Sequence, residues 1–129
     1  MLADAFRVAG QAALMAQYRD AAVTAYNQAN GLPDPMLDQG QDLGGLVRGR
    51  DFKMMAAAFL YNVTGNQTWE AVVNAESVCA AGPAPLNNGS RNQVWASAAY
   101  LVTPQTVHYP TLQSNMRTAI IAQAKSEEA

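Results

Sequence analysis

Residues Asp38 to Gly45 read DQGQDLGG, two carboxylates four positions apart with glycines between and after them. Paired acids perform general acid and base chemistry, oxygen-rich loops hold calcium, and the same composition makes an ordinary turn. A twelve-residue calcium loop starting at Asp38 would place Gly49 where a bidentate glutamate must stand, so that motif fails. Asp38 and Asp42 remain a candidate catalytic pair, with a solvated turn as the plainer reading.

The other chemistry-bearing residues are few. His108, the single histidine, lies in TVHYP, and a histidine is useful when a carboxylate or nucleophile stands beside it. No local residue supplies one. Ser90 with Gln93 has the spacing of a capping box, which accounts for the serine without nucleophilic chemistry. Arg48 and Arg50 in GLVRGR read as a basic approach to a helix start, and no glycine-rich phosphate cradle follows a strand. Cys79 is the only cysteine, so no internal disulfide forms, and one cysteine with one histidine falls short of a zinc site. Its plain reading is a small buried hydrophobe near a helix end. Neither metal nor cofactor is expected.

The elements that must position these residues are helices. Alanine occurs 25 times in blocks punctuated by Gly, Pro and Asn, and six helices follow from the 3.6-residue periodicity. Leu2, Ala5, Phe6, Ala9, Ala13 and Ala16 make one stripe, predicting a helix over 2–16. Ala22, Ala25, Tyr26 and Ala29 make a second, over 18–30, stopped by Gly31 and Pro33. Phe52, Met55, Ala56, Phe59, Leu60 and Val63 form the clearest series, with Asp51 as N-cap and Gly65 as the left-handed end residue. Asn66 then caps a fourth helix carrying Trp69, Val72 and Val73 inward. A fifth, after Ser90, turns Val94, Trp95, Ala98, Leu101 and Val102 inward until Pro104. Pro110 opens a sixth with Leu112, Met116, Ala119, Ile120 and Ala124 on one face. The chain therefore reads as one all-α domain over 1–129, three antiparallel helical hairpins joined by longer loops at 32–50 and 80–88.

Composition narrows the class. With half its residues apolar, a chain of 129 buries one core. A net charge of −2 lacks the basic excess of a nucleic-acid binder. No stretch reaches the roughly 20 apolar residues that span a bilayer, and no signal peptide is recognisable, so a soluble chain is expected. The Asn-x-Ser/Thr triplets at Asn62, Asn66 and Asn88 carry no weight alone.

DFKMMAAAFLYNVTGNQTWEAVVNAES resembles the segment of family 9 glycoside hydrolases in which an Ala-rich helix ends in Leu-Tyr-x-x-Thr-Gly before Asn or Asp and an aromatic. The matching residues here are Leu60, Tyr61, Thr64, Gly65, Asn66 and Trp69. AFRVAGQAALMAQYRDAAVTAYNQAN is similar to the preceding helix pair, and WASAAY with MRTAIIAQA to the following one. The resemblance implies part of an α/α toroid, a cellulase-like carbohydrate-active hydrolase and a β-glucan or oligosaccharide partner.

The family is an inverting one, whose two carboxyls stand roughly 6.5–9.5 Å apart to admit water. Its Asp-Ala-Gly-Asp base motif is not matched by Asp38 and Asp42, its terminal acidic glutamate has no counterpart, and its histidine-containing loop is missing. The chain is therefore expected not to hydrolyse glycosidic bonds alone.

Among aromatics able to stack on sugar rings, Trp69, Trp95, Tyr61, Tyr100 and Tyr109, the two tryptophans fall on apolar stripes. Tyr100 and Tyr109 flank the last interhelical loop and are the sugar-binding candidates. A first helix starting at residue 2 without an upstream cap is what a fragment shows, and open hairpin faces favour a homo-oligomer. A different class of protein, a helical-repeat module binding a peptide or protein, is separated by its concave surface. Aromatics and carboxylates there mark a sugar site, and an apolar groove marks a peptide site.

Overall fold

The structure is a computed structural model that describes residues 1–30, 49–87 and 90–128. Asp38, Asp42 and Arg48 lie outside the described residues. Those described form six α-helices and no strand: α1 (Leu2–Val8), α2 (Ala12–Asn30), α3 (Gly49–Thr64), α4 (Gln67–Glu76), α5 (Gln93–Leu101) and α6 (Pro110–Glu128). The expected all-α class is observed. None of these helices is long and apolar enough to cross a membrane.

Local chemistry sets the helix ends. The first helix stops at Val8 and does not continue to Ala16, because Gly10 adopts a left-handed backbone with φ +71°. Gly10 N–H donates to Arg7 O and Gln11 N–H to Phe6 O, the paired bonds of a Schellman end. At the end of α3, Gly65 (φ +65°) turns the chain as expected, and the Asn66 side chain accepts from Thr68 N–H at 2.9 Å to start α4. Pro110 opens α6.

Helices adjacent in sequence pack in pairs, α1 on α2, α3 on α4 and α5 on α6, and α3 also lies along α5. Phe6 stacks on Tyr18 with ring centroids 5.2 Å apart. Tyr26 meets Trp69 edge to face at 4.8 Å, an aromatic contact joining α2 to α4. Met54, Ala57, Leu60 and Tyr61 of α3 sit at the centre of the core, with Trp69, Val73, Cys79, Leu86, Ala96, Tyr100, Leu112 and Met116 around them.

Two predicted faces are corrected. The α3 stripe from Phe52 to Val63 is not its deepest face: Met54, Ala57, Ala58 and Tyr61 are buried, and of the stripe Leu60 alone joins them, while Phe52 is 44% exposed. From Met54 to Tyr61 every residue is apolar, so in this stretch two neighbouring surfaces compete for the helix. On α5 the buried residues are Gln93, Ala96, Ser97, Ala99 and Tyr100, and Trp95 stands 63% exposed with Val102 also outside. Small residues at 96, 97 and 99 let α5 lie close to α3, an approach Trp95 would block.

The expected capping residues are also reassigned. Asp51 lies inside the first turn of α3, fully buried, where it accepts from Gln93 Nε2 at 2.8 Å. Gln93 does not turn back to Ser90. Its amide also donates to Glu76 O (3.0 Å) and accepts from Val78 N–H (2.9 Å), closing the end of α4. The Ser90 hydroxyl donates to Pro85 O and Asn87 O inside its own loop. Arg50 completes this junction by donating to Glu76 O at 2.7 Å, and Lys53 pairs with the Glu76 carboxylate at 3.1 Å. Cations at a helix C-terminus oppose its negative dipole end.

Candidate functional site

Two features stand out, a groove and a polar cluster. The groove lies between the α1–α2 pair and α3. Its walls are Met1, Leu2 and Ala3 on one side, Tyr18, Ala21 and Ala22 on the second, and the predicted α3 stripe from Phe52 to Val63 as the floor. The volume is about 580 Å³, and the Tyr18 hydroxyl is the one polar side-chain group in the lining. The small side chains of Ala21, Ala22 and Ala56 leave the space between the walls unfilled. Thus the stripe that periodicity assigns to a core lines a surface groove.

The polar cluster is built on Glu70. This residue precedes Val73 by three positions and so shares its inward face of α4, where its carboxylate is fully buried. Burying a charge is costly unless it is paired and hydrogen-bonded. Tyr100 of α5, four residues after buried Ala96, donates its hydroxyl to Glu70 Oε1 at 2.6 Å. The connection between α5 and α6 brings His108, whose backbone N–H donates to Oε1 at 2.8 Å and whose Nδ1 lies 2.6 Å from Oε2. Gln67, in the first turn of α4, places its amide nitrogen 3.0 Å from His108 Nε2. Tyr61 lies beneath, its hydroxyl donating to Thr106 O and 3.4 Å from His108 Nδ1.

Electrostatics follow from this packing. Desolvation acts most strongly on Glu70 and raises its pKa, but the bonds from Tyr100, the His108 backbone and the His108 ring together outweigh it. The carboxylate is held below its usual range. Burial, followed by the bond to Glu70, pushes the Tyr100 hydroxyl far above the ordinary phenol value. Tyr61 is raised by burial and then by the nearby Glu70 charge. An ionised carboxylate only accepts hydrogen bonds, so the His108 Nδ1 is the N–H donor and Nε2 faces outward. The His108 side chain is 39% exposed.

The two sugar-binding candidates fare differently. Tyr100 is fully buried and spends its hydroxyl on Glu70, so it offers no ring face to a ligand. Tyr109 is half-buried against the core beside α6. Among the described residues Trp95 is the most exposed aromatic, ahead of Phe52 and Tyr18, whereas Trp69 packs inside as expected. Cys79 is buried, in keeping with its plain reading. Among the described residues no group of three or more His, Cys, Asp or Glu side chains gathers to hold a metal ion.

The Glu70–His108 pair escapes sequence reasoning because its members come from different elements. The available signal was a carboxylate on the apolar face of α4, which demands a partner. Comparison of the chain with protein-family models, with curated proteins and with solved structures yields no match.

Proposed function

We propose that this chain is a helical binding module that seats an amphipathic helix in the groove between the α1–α2 pair and α3. The observation that carries this reading is the apolar character of the groove lining from Met1 to Val63, which includes no carboxylate. A sugar needs donors and acceptors to replace its water, whereas a helix offers an apolar ridge that fits between two others. Phe52 to Val63 spans eleven helical steps, about 16 Å at the rise of an α-helix, the length of three partner turns.

The test is a titration with a synthetic sixteen-residue helix carrying leucines at i, i+3, i+4 and i+7 and lysines elsewhere. Amide resonances of Ala21, Ala22, Met55 and Phe59 are expected to shift together and saturate. Shifts confined to other surfaces, or none at millimolar peptide, would sink the reading. Light scattering separates the remaining occupant, since a second copy filling the groove yields a dimer.

A second reading is the carbohydrate-active one that the family 9 resemblance implies, a toroid-like part that binds a β-glucan without cleaving it. Exposed Trp95 favours it, because an indole face on a helix surface is a platform for a sugar ring. Cellohexaose should then perturb tryptophan fluorescence in the native chain and not in Trp95→Ala.

A further inference from the structure

The Glu70–His108 pair has a geometry that helical packing alone does not require. Both carboxylate oxygens are engaged, one by Tyr100 and the His108 backbone, the other by the ring Nδ1. The carboxylate therefore cannot rotate away from the imidazole, and the ring is held in one tautomer and one orientation. Its second nitrogen points out beside Gln67, on a side chain that keeps access to solvent. A buried carboxylate that fixes one ring nitrogen so that the other presents its lone pair is the supporting half of a nucleophile–histidine–carboxylate arrangement. The hydroxyl beside the ring, that of Tyr61, lies 3.4 Å from Nδ1 and donates its proton to Thr106 O, while the partner at Nε2 is the Gln67 amide, so the imidazole itself is the group able to react.

We propose that His108 Nε2 is a nucleophile toward small activated carboxylic esters, with Glu70 as its positioning residue. The Nε2 lone pair attacks the ester carbonyl carbon, the bond to the leaving oxygen breaks, and that oxygen departs with the electron pair. The acylated ring is cationic, and its Nδ1–H stays on the Glu70 carboxylate, which stabilises it. Water then adds to the acyl carbon, the carbon–nitrogen bond breaks, and its electron pair returns to Nε2. One proton from the water remains on the released acid and the other reaches the departed oxyanion through solvent. The overall reaction is hydrolysis and needs no other reactant. Gln67, donating to the same lone pair, is a brake on the attack.

The experiment measures p-nitrophenyl acetate hydrolysis by the full chain against free imidazole at equal concentration. The native chain should exceed imidazole at least tenfold, His108→Ala should fall to the buffer rate, and Glu70→Gln should lose most of the gain. Gln67→Ala, which leaves Glu70 and His108 paired, should react about fivefold faster, the factor expected for removing one ordinary hydrogen bond from the nucleophile. If His108→Ala fails to fold, carbethoxylation of His108 in the native chain replaces it, and activity must decline in step with the modified fraction. A rate no higher than imidazole, activity surviving loss or modification of His108, or a Gln67→Ala rate that stays level or falls overturns the proposal.

Discussion

Glu70 of α4 and His108 of the α5–α6 connection are separated by 38 positions in the chain and by 2.6 Å in the fold. Between them they tie the last two helices to the α3–α4 pair. The carboxylate is buried, and its three donors offset the cost of removing it from water.

A pH dependence follows directly from that burial. The folded-state pKa of Glu70 is depressed, so its contribution to stability is fully present above the unfolded carboxylate value near 4.5 and is lost as pH falls through the lower folded value. Urea midpoints measured from pH 7 to pH 3 should drop more steeply in the native chain than in Glu70→Gln below about pH 4.5. Parallel curves would show that the carboxylate contributes nothing differential.

Tyr100→Phe removes one charge-assisted hydrogen bond from the same carboxylate while keeping the ring in the core. The expected cost is about 1.5–3 kcal/mol, read from chemical denaturation at pH 7. A change under 0.5 kcal/mol, the scatter typical of a neutral surface substitution, would mean that another donor replaces the phenol.

Gln93→Ala tests the junction at the end of α4. The side chain serves Asp51, Glu76 O and Val78 N–H at once. Losing it leaves buried polar groups to be satisfied anew, at about 2–3 kcal/mol. Thermal unfolding of the variant should begin earlier, and amide exchange at Val78 should accelerate before that of the α3 core.

At the α3–α4 turn, Gly65→Ala meets two obstacles. Its backbone is left-handed, and a Cβ would stand 2.8 Å from Gln105 Oε1. Gln105 is a flexible side chain that donates to Asn62 O and can yield, so the conformational cost dominates, about 1–2 kcal/mol. Denaturation of Gly65→Ala beside Gly65→Asn separates the two effects, since asparagine tolerates the backbone better.

Ala22→Glu addresses the groove. Ala22 is exposed on α2, so stability should change by no more than about 0.5 kcal/mol. A carboxylate in the apolar lining should nonetheless weaken the model helix at least tenfold in the same titration. Equal affinity in the variant would place the helix elsewhere.

The sequence by itself determined the helical class and most of the punctuation. Gly65 followed by Asn66, Pro110 at the start of α6, and the inward Trp69, Val73, Leu112 and Met116 were legible because caps, turns and i to i+4 neighbours are local interactions. Gly10 carried the same kind of signal for the end of α1, but an alanine stripe that runs on to Ala16 masked it.

Only the tertiary structure decided which surface of α3 and of α5 became core. Both helices are apolar on more than one side, and the choice fell to the neighbours that could approach closest. That put Phe52 and Trp95 outside and Met54 and Tyr100 inside. It also decided the site, because a buried carboxylate on α4 requires partners and those lay on α5 and on the loop after it. Such partners meet only when the helices pack, and local periodicity holds no record of distances across the fold.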